Sequence, residues 1–334
     1  MRRTLILFAL MTGLLGCEKL AWPDEAANTP QGNFDALWET LDRKYAYFDL
    51  KGLDWDSVYQ AFAPRINAQT EDEELFAIMD SMLFLLRDGH VNLSSPFNLS
   101  RNWRWYLDHP ANFSYDLVER HYLTAKHRRG GGLQYILLPD SVGYLYFGSF
   151  SAAPSEGQLR EAFRYLAPGK GLIVDIRNNG GGSLGTAYRL ASCLVDEQKT
   201  VIERRYKTGP APGQFEKAVQ ISLAPHPDIR YEGPVVLLTN RQCYSAANTF
   251  AAILSLYDKV QIIGDTTGGG GGLPVDNELP NGWYYRFSAT RDRLIPSGWE
   301  LELGIGPDLA LDLDSNQLAL GRDNLIEEAR LLLR

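Results

Sequence analysis

Apolar positions in the first ninety residues recur every three or four places. Phe34, Leu37, Trp38, Leu41 and Tyr45 fall on one face of a helix. Leu75, Met79, Met82, Leu83 and Leu86 fall on one face of another, expected over residues 71–87, and Thr70 with Glu73 has the spacing of its capping box. A shorter helix is expected between them, over 56–66. Three amphipathic helices can bury their stripes against one another, so residues 33–91 read as a small three-helix bundle. Over 92–140 the pattern loosens. Trp103, Trp105, Tyr106, Phe113, Tyr115 and Tyr122 are scattered among polar residues and short strands. They either line a cleft or pack the bundle onto the next domain.

From residue 142 the period changes. Residues 142–150, 172–176, 234–239 and 260–264 are apolar runs of strand length. Residues 155–166, 184–194 and the stretch from 245 read as helices. Strands alternating with helices imply βαβ crossovers and a largely parallel sheet, which makes the class α/β. Pieces rich in β-formers at 283–290 and 301–313 and a closing helix over 316–333 complete a core domain of residues 141–334.

The chain has 334 residues, 45% hydrophobic and 22% charged, and a net charge of −8. That is ordinary for a globular protein and argues against a nucleic-acid partner, which needs basic patches to neutralise phosphates. Arg2 and Arg3 precede an apolar stretch over residues 5–15, then Gly16 and Cys17. As a helix that stretch spans ~16 Å against a hydrocarbon core of ~30 Å, so it reads as a secretory signal rather than a permanent anchor. Leu14-Leu15-Gly16-Cys17 resembles the lipobox of bacterial lipoproteins. The resemblance implies cleavage before Cys17, lipidation of that cysteine, and a lipid-anchored protein exported to the cell envelope (periplasm or outer membrane). Residues 18–32 are small and polar and read as a tether. The remaining cysteines, Cys193 and Cys243, lie in apolar surroundings and are expected to be buried free thiols.

Three places could carry chemistry. Ser245, in TNRQCYSAAN at 239–248, sits where a strand hands over to a helix. The first N–H groups of a helix have no intrahelical partners and can hold a developing oxyanion, although a serine there is also a common N-cap. Asp175-Ile176-Arg177-Asn178-Asn179-Gly180-Gly181-Gly182 again joins a strand to a helix. Its glycines can present backbone N–H groups or simply make a tight turn. It fits neither the Walker pattern nor the dinucleotide fingerprint. Asp88-Gly89-His90 ends the third helix, where the histidine is either a helix cap or a base. No His, Cys and carboxylate spacing suggests a metal, and no cofactor is required.

In this order, with IIGDTTGGGGG at 262–272 and ELGIGPDLAL at 302–311, these stretches resemble the serine peptidases of the C-terminal processing (tail-specific) protease and tricorn-core family. The resemblance implies a core related to the crotonase and Clp protease folds and hydrolysis of peptide bonds in extended or unfolded polypeptides. It implies Ser245 as nucleophile, with oxyanion donors at Ala246 and at Gly180 or Gly181. The processing branch activates its serine with a lysine that would fall in the run 268–272, most closely at Gly270, and no lysine follows Lys259. The tricorn-like branch uses Ser, His and Glu, which implies His90 as base and Glu302 as its orienting acid, with Glu300 in reserve. Glu302 could equally be a strand residue facing solvent. Asn248 stands where processing proteases carry an acid, and the gap between bundle and core is too short for a PDZ module. The competing expectations are a retired peptidase scaffold that binds peptide or another ligand, and an esterase using the same triad.

Overall fold

The computed structural model describes residues 26–101 and 108–334. The signal and lipidation expectations for residues 1–17, the first part of the tether, and Trp103, Trp105 and Tyr106 lie outside the described residues.

Helices α1 (Pro30–Lys44), α2 (Trp55–Phe62) and α3 (Asp72–Phe84) form the amino-terminal unit. Thr29 caps α1 by accepting from the Gly32 N–H, and Asp54 caps α2 through Ser57. The capping box at Thr70 does not form. The N-cap of α3 is Glu71, without a side-chain cap bond, and the Thr70 hydroxyl instead accepts from the Asn67 N–H. The stripes of α1 and α3 do not close on each other alone. Their apolar cluster also takes in Leu279, Trp283, Tyr285 and Phe287 from the far half of the chain. Those residues belong to a four-stranded sheet in the order β11 (Pro274–Glu278), β12 (Tyr284–Ser288), β1 (Asn92–Ser94), β2 (Leu99–Arg101), or to the turn joining its first two strands.

The main sheet has seven strands: β15 (Leu309–Ala310), β10 (Val260–Gly264), β9 (Val235–Thr239), β6 (Leu172–Asp175), β5 (Gly143–Phe147), β4 (Leu133–Leu137) and β3 (Arg128–Gly130). The run from β15 to β5 is parallel, and β4 and β3 are antiparallel. Both faces are buried, which is why the parallel strands read as continuous apolar runs. Val235 and Leu237 face one cluster with the helices Glu156–Leu166, Leu184–Ser192 and Ala246–Leu254, while Val236 and Leu238 face another with Asn324–Leu332. Phe113, Tyr122 and partly buried Tyr115 pack into that second cluster, which favours the packing role for the aromatic segment. The mixed α/β fold with a largely parallel sheet and amino-terminal helices is the one expected.

Three elements differ from expectation. The stretch 301–313, expected to be rich in strand, forms a 3₁₀ turn at Leu301–Leu303 and a two-residue strand at Leu309–Ala310. The closing helix breaks into Ser315–Ala319 and Asn324–Leu332 around Gly321, whose φ of 74° ends the first piece. A third sheet, in the order β14 (Trp299–Glu300), β13 (Thr290–Leu294), β7 (Lys199–Tyr206), β8 (Val219–Leu223), includes an antiparallel pair, β7 with β8, that sequence periodicity left unread.

Candidate active site

Parallel pairing sets β6 beside β9, with Asp175 opposite Leu238, so the loops after both strands leave one sheet edge. Asparagines tie them together. Asn240 accepts from the Asn178 N–H at 2.9 Å and donates to the Asn178 side chain at 2.6 Å. Asn179, fully buried, donates to the Phe147 carbonyl at 2.8 Å and accepts from the Tyr244 N–H through its own carbonyl at 3.1 Å. Beneath the loop, Arg177 is wholly buried between Asp175 (2.6 Å) and Asp323 (2.9 Å).

Ser245 opens the helix Ala246–Leu254 but does not cap it with its side chain. Its backbone stands at φ 56° and ψ −120°, a strained setting for a residue other than glycine. The strain is held by neighbours: the Ser245 N–H donates to the Gly269 carbonyl at 2.9 Å. The hydroxyl is thereby carried to His90, with Oγ 3.0 Å from Nε2. Gly181, at φ +99°, lies flat against this corner, and a Cβ there would stand 2.8 Å from the Ser245 Cβ and 3.0 Å from the Ala246 nitrogen.

His90 is almost fully buried, at 7% exposure. Its own N–H donates to Asp88 Oδ1 at 2.8 Å, so the Asp-Gly-His turn is locked by the aspartate. The other ring nitrogen, Nδ1, lies 3.3 Å from Ser288 Oγ at the end of β12. Burial lowers the imidazole to about 4. The negative Asp88 opposes that shift, and the cations Arg286 and Lys51 add to it. The ring is therefore neutral at pH 7. Burial raises the Asp88 carboxyl, but Lys51 and His90 outweigh it and hold the group below the usual carboxylate range.

The structure does not bring Glu302 to the imidazole. Its Oε1 accepts from Lys51 Nζ at 2.7 Å and its Oε2 from the Gly271 N–H at 3.2 Å. Glu302 is nevertheless buried at 7% exposure, not a strand residue in solvent, and burial pushes its carboxyl up to about 7 against the pull of Lys51. Glu300 is engaged elsewhere, with Arg291 and Arg293. Of the glycine donors, the Gly181 N–H is taken by Asn179 Oδ1 at 2.9 Å. Gly180 is exposed, and its N–H has no hydrogen-bond partner among the described residues.

Gly270, the position to which the resemblance pointed for a lysine, has no room for a side chain. Gly270 has φ +76°, and a Cβ there would meet the Tyr244 ring at 2.4 Å. Tyr244 fills this space between Gly270 and Gly89, donates to Asp88 Oδ1 at 3.2 Å, and lies 5.0 Å from the His90 ring, centroid to centroid. Asn248 donates to the Leu301 carbonyl and accepts from Thr267, which fixes the turn carrying Glu302. Cys193 and Cys243 are buried and free, as expected. Burial raises Cys243 to about 12, which leaves it inert two residues from Ser245.

Ser288 and Lys51 are the residues sequence reasoning missed. Neither stands in a motif, and they reach His90 and Glu302 across 198 and 251 positions of chain.

Comparison with known proteins gives the family. Residues 141–311 match the description of peptidase family S41, and residues 26–84 match the tricorn protease C1 domain. A crystal structure of a peptidase candidate from Parabacteroides merdae ATCC 43184 superposes with a TM-score of 0.87 at 40% identity, covering 92% of this chain and 97% of that one. Mature CPAF complexed with lactacystin shares the fold, with a TM-score of 0.70 at 13% identity over 91% of this chain and 97% of that one. The carboxy-terminal processing protease CtpA of Bacillus subtilis (strain 168) is 27% identical over 176 residues, 52% of this chain and 36% of its own length. The match therefore spans about a third of that relative. The chain belongs to peptidase family S41 and is a serine-type peptidase.

Proposed function

We propose that the chain is an endopeptidase that cleaves extended or unfolded polypeptides with Ser245 as nucleophile and His90 as general base. The observation that carries this reading is the 3.0 Å approach of the Ser245 hydroxyl to a buried, neutral imidazole. With the ring proton on Nδ1 and donated to Ser288, Nε2 accepts the hydroxyl proton as Oγ attacks the scissile carbonyl. The oxyanion is received by the N–H of Ala246, unpaired at the helix start, and by that of Gly180, the Gly181 N–H being engaged by Asn179. His90 then returns the proton to the departing amine. Water repeats the sequence on the acyl-enzyme, releasing the acid and restoring the serine. The role first expected of Glu302 passes to Ser288, which orients the ring, with Asp88 supplying the negative charge that stabilises the imidazolium.

The same reading places the protein outside the cytoplasm, tethered through Cys17 to a bacterial membrane, with peptides or proteins as substrates. The basic start, short apolar stretch and lipobox-like cysteine support it. Among the described residues no helix is long and apolar enough to cross a membrane.

The test is labelling by a serine-directed fluorophosphonate with mapping of the modified residue, beside peptide hydrolysis by the wild type, Ser245→Ala and His90→Ala. Adduct on Ser245 and a loss on the order of 10⁴-fold or more in kcat in both variants are expected. Undiminished hydrolysis by Ser245→Ala refutes the assignment.

A further inference from the structure

The serine and imidazole rest on a second layer of charge that the reaction itself does not touch. Asp88 and Glu302 are two buried carboxylates that share the field of one cation, Lys51. Lys51, just beyond the first helix of the bundle, has a side chain only 16% exposed, and that of Glu302 is 4% exposed. Its ammonium donates to Glu302 Oε1 at 2.7 Å and to the carbonyl of Arg87, the residue directly before Asp88, at 3.2 Å. Glu302 in turn receives the Gly271 N–H, next to the glycine whose place the family's lysine would take. One ammonium therefore ties the loop after the first helix to the start of the Asp-Gly-His turn and, through Glu302, to the glycine run behind Tyr244 and Ser245. Asp88 uses Oδ1 for the His90 N–H and the Tyr244 hydroxyl, while its buried Oδ2 makes no hydrogen bond among the described residues. A carboxylate in that state needs a nearby positive charge to remain ionised.

We propose that Lys51 is a positioning residue of this peptidase, whose ammonium fixes the Asp-Gly-His turn against the glycine run behind Ser245. This rests on the assignment of Ser245 and His90 above and adds to it a residue that touches neither the substrate nor the reacting atoms. The charged and titratable groups face this layer from several elements. Asp88, Arg286 and Lys51 act on His90, and Lys51 and Asp88 act on Glu302. Tyr45 and Tyr47, buried at the end of the bundle, are held protonated by burial and by the same two carboxylates. Lys51 depresses the imidazole by repelling its protonated form, so removing that cation raises it.

The experiment compares Lys51→Met, Lys51→Arg and Glu302→Gln with the wild type in peptide hydrolysis from pH 3.5 to 9, with thermal melts of each and Ser245→Ala as the inactive reference. A displaced catalytic turn is expected to lower kcat by about 10²-fold in Lys51→Met with KM changed less than threefold. The acid limb of kcat/KM is expected to move upward in pH in Lys51→Met and to stay in place in Lys51→Arg, which should regain at least tenfold of the lost kcat. A merely structural lysine would not move that limb. The proposal is overturned if Lys51→Met keeps the wild-type kcat and acid limb. It is also overturned if Lys51→Arg, melting like the wild type, is as inactive as Lys51→Met. Wild-type hydrolysis by Ser245→Ala sinks the underlying site instead, so the two failures are told apart. If Lys51→Met does not fold, Lys51→Arg and Glu302→Gln decide. An arginine variant with wild-type kcat and limb supports the charge role when Glu302→Gln, folded, loses at least tenfold in kcat. A wild-type kcat in Glu302→Gln refutes it.

Discussion

Replacing Gly270 by alanine adds one carbon where the Tyr244 ring already stands. The new Cβ would lie 2.4–2.7 Å from three ring carbons, on a backbone at φ +76°. Two costs add. Holding an L-residue in the left-handed region costs roughly 1–2 kcal/mol, and forcing a filled contact apart about 1–3 kcal/mol. The expected loss is about 2–5 kcal/mol, a fall in melting temperature of roughly 3–7 °C for a chain of this size. Activity should fall as well, because Tyr244 precedes Ser245, the proposed nucleophile, and is bonded to Asp88. Gly270→Lys carries the same clash, so restoring the family's lysine is expected to lose activity rather than create a Ser-Lys pair. The assay is thermal or denaturant unfolding of Gly270→Ala in the wild-type and Tyr244→Ala backgrounds. Without the ring, only the backbone cost of about 1–2 kcal/mol should remain. A neutral Gly270→Ala, or an equal loss in both backgrounds, refutes the steric account.

Other perturbations test other parts of the site. The acid limb of kcat/KM is expected near pH 4 rather than near 6.5, because burial disfavours the imidazolium of His90; a limb between pH 6 and 7 contradicts the buried setting. The same depression has a stability sign. The unfolded chain takes the proton first, so the His90 contribution is complete above pH 6.5 and is lost as pH falls to about 4. The loss is on the order of 3 kcal/mol, and denaturant titrations should show it absent in His90→Ala. Ser288→Ala should lower kcat about tenfold with KM unchanged, the worth of one neutral hydrogen bond to the ring, and a change under twofold would remove Ser288 from the relay. Arg177→Met should cost about 3–5 kcal/mol in unfolding experiments, because it strands Asp175 and Asp323 without their buried cation.

Local chemistry is legible in the sequence wherever it is continuous along the chain. The strand-to-helix position of Ser245, the glycine loop after β6 and the histidine after α3 each announce themselves within ten residues, and the apolar runs of β5, β6, β9 and β10 give the parallel sheet. What the sequence hides is convergence. Nothing near Ser288 marks it as the neighbour of His90, since it is one serine in a strand. Glu302 stands out by its place before Gly304, yet that offset cannot tell whether the carboxylate turns to an imidazole or to a lysine 251 residues away. The strand pair at 199–223 escapes for a different reason. In β7 charged residues such as Arg204, paired with Asp292, interrupt the apolar pattern, and β8 alternates over only five, mostly exposed residues.

The sharing of one apolar cluster between the amino-terminal helices and residues 279–287 has a consequence for biogenesis. Those helices emerge first during synthesis but cannot complete their interior until nearly three hundred residues have been made. The imidazole they carry reaches its serine only as that interior closes, because β12 brings both the missing apolar partners and Ser288. Under the proposed assignment, chains truncated before residue 288 lack both and are expected to show no peptide hydrolysis.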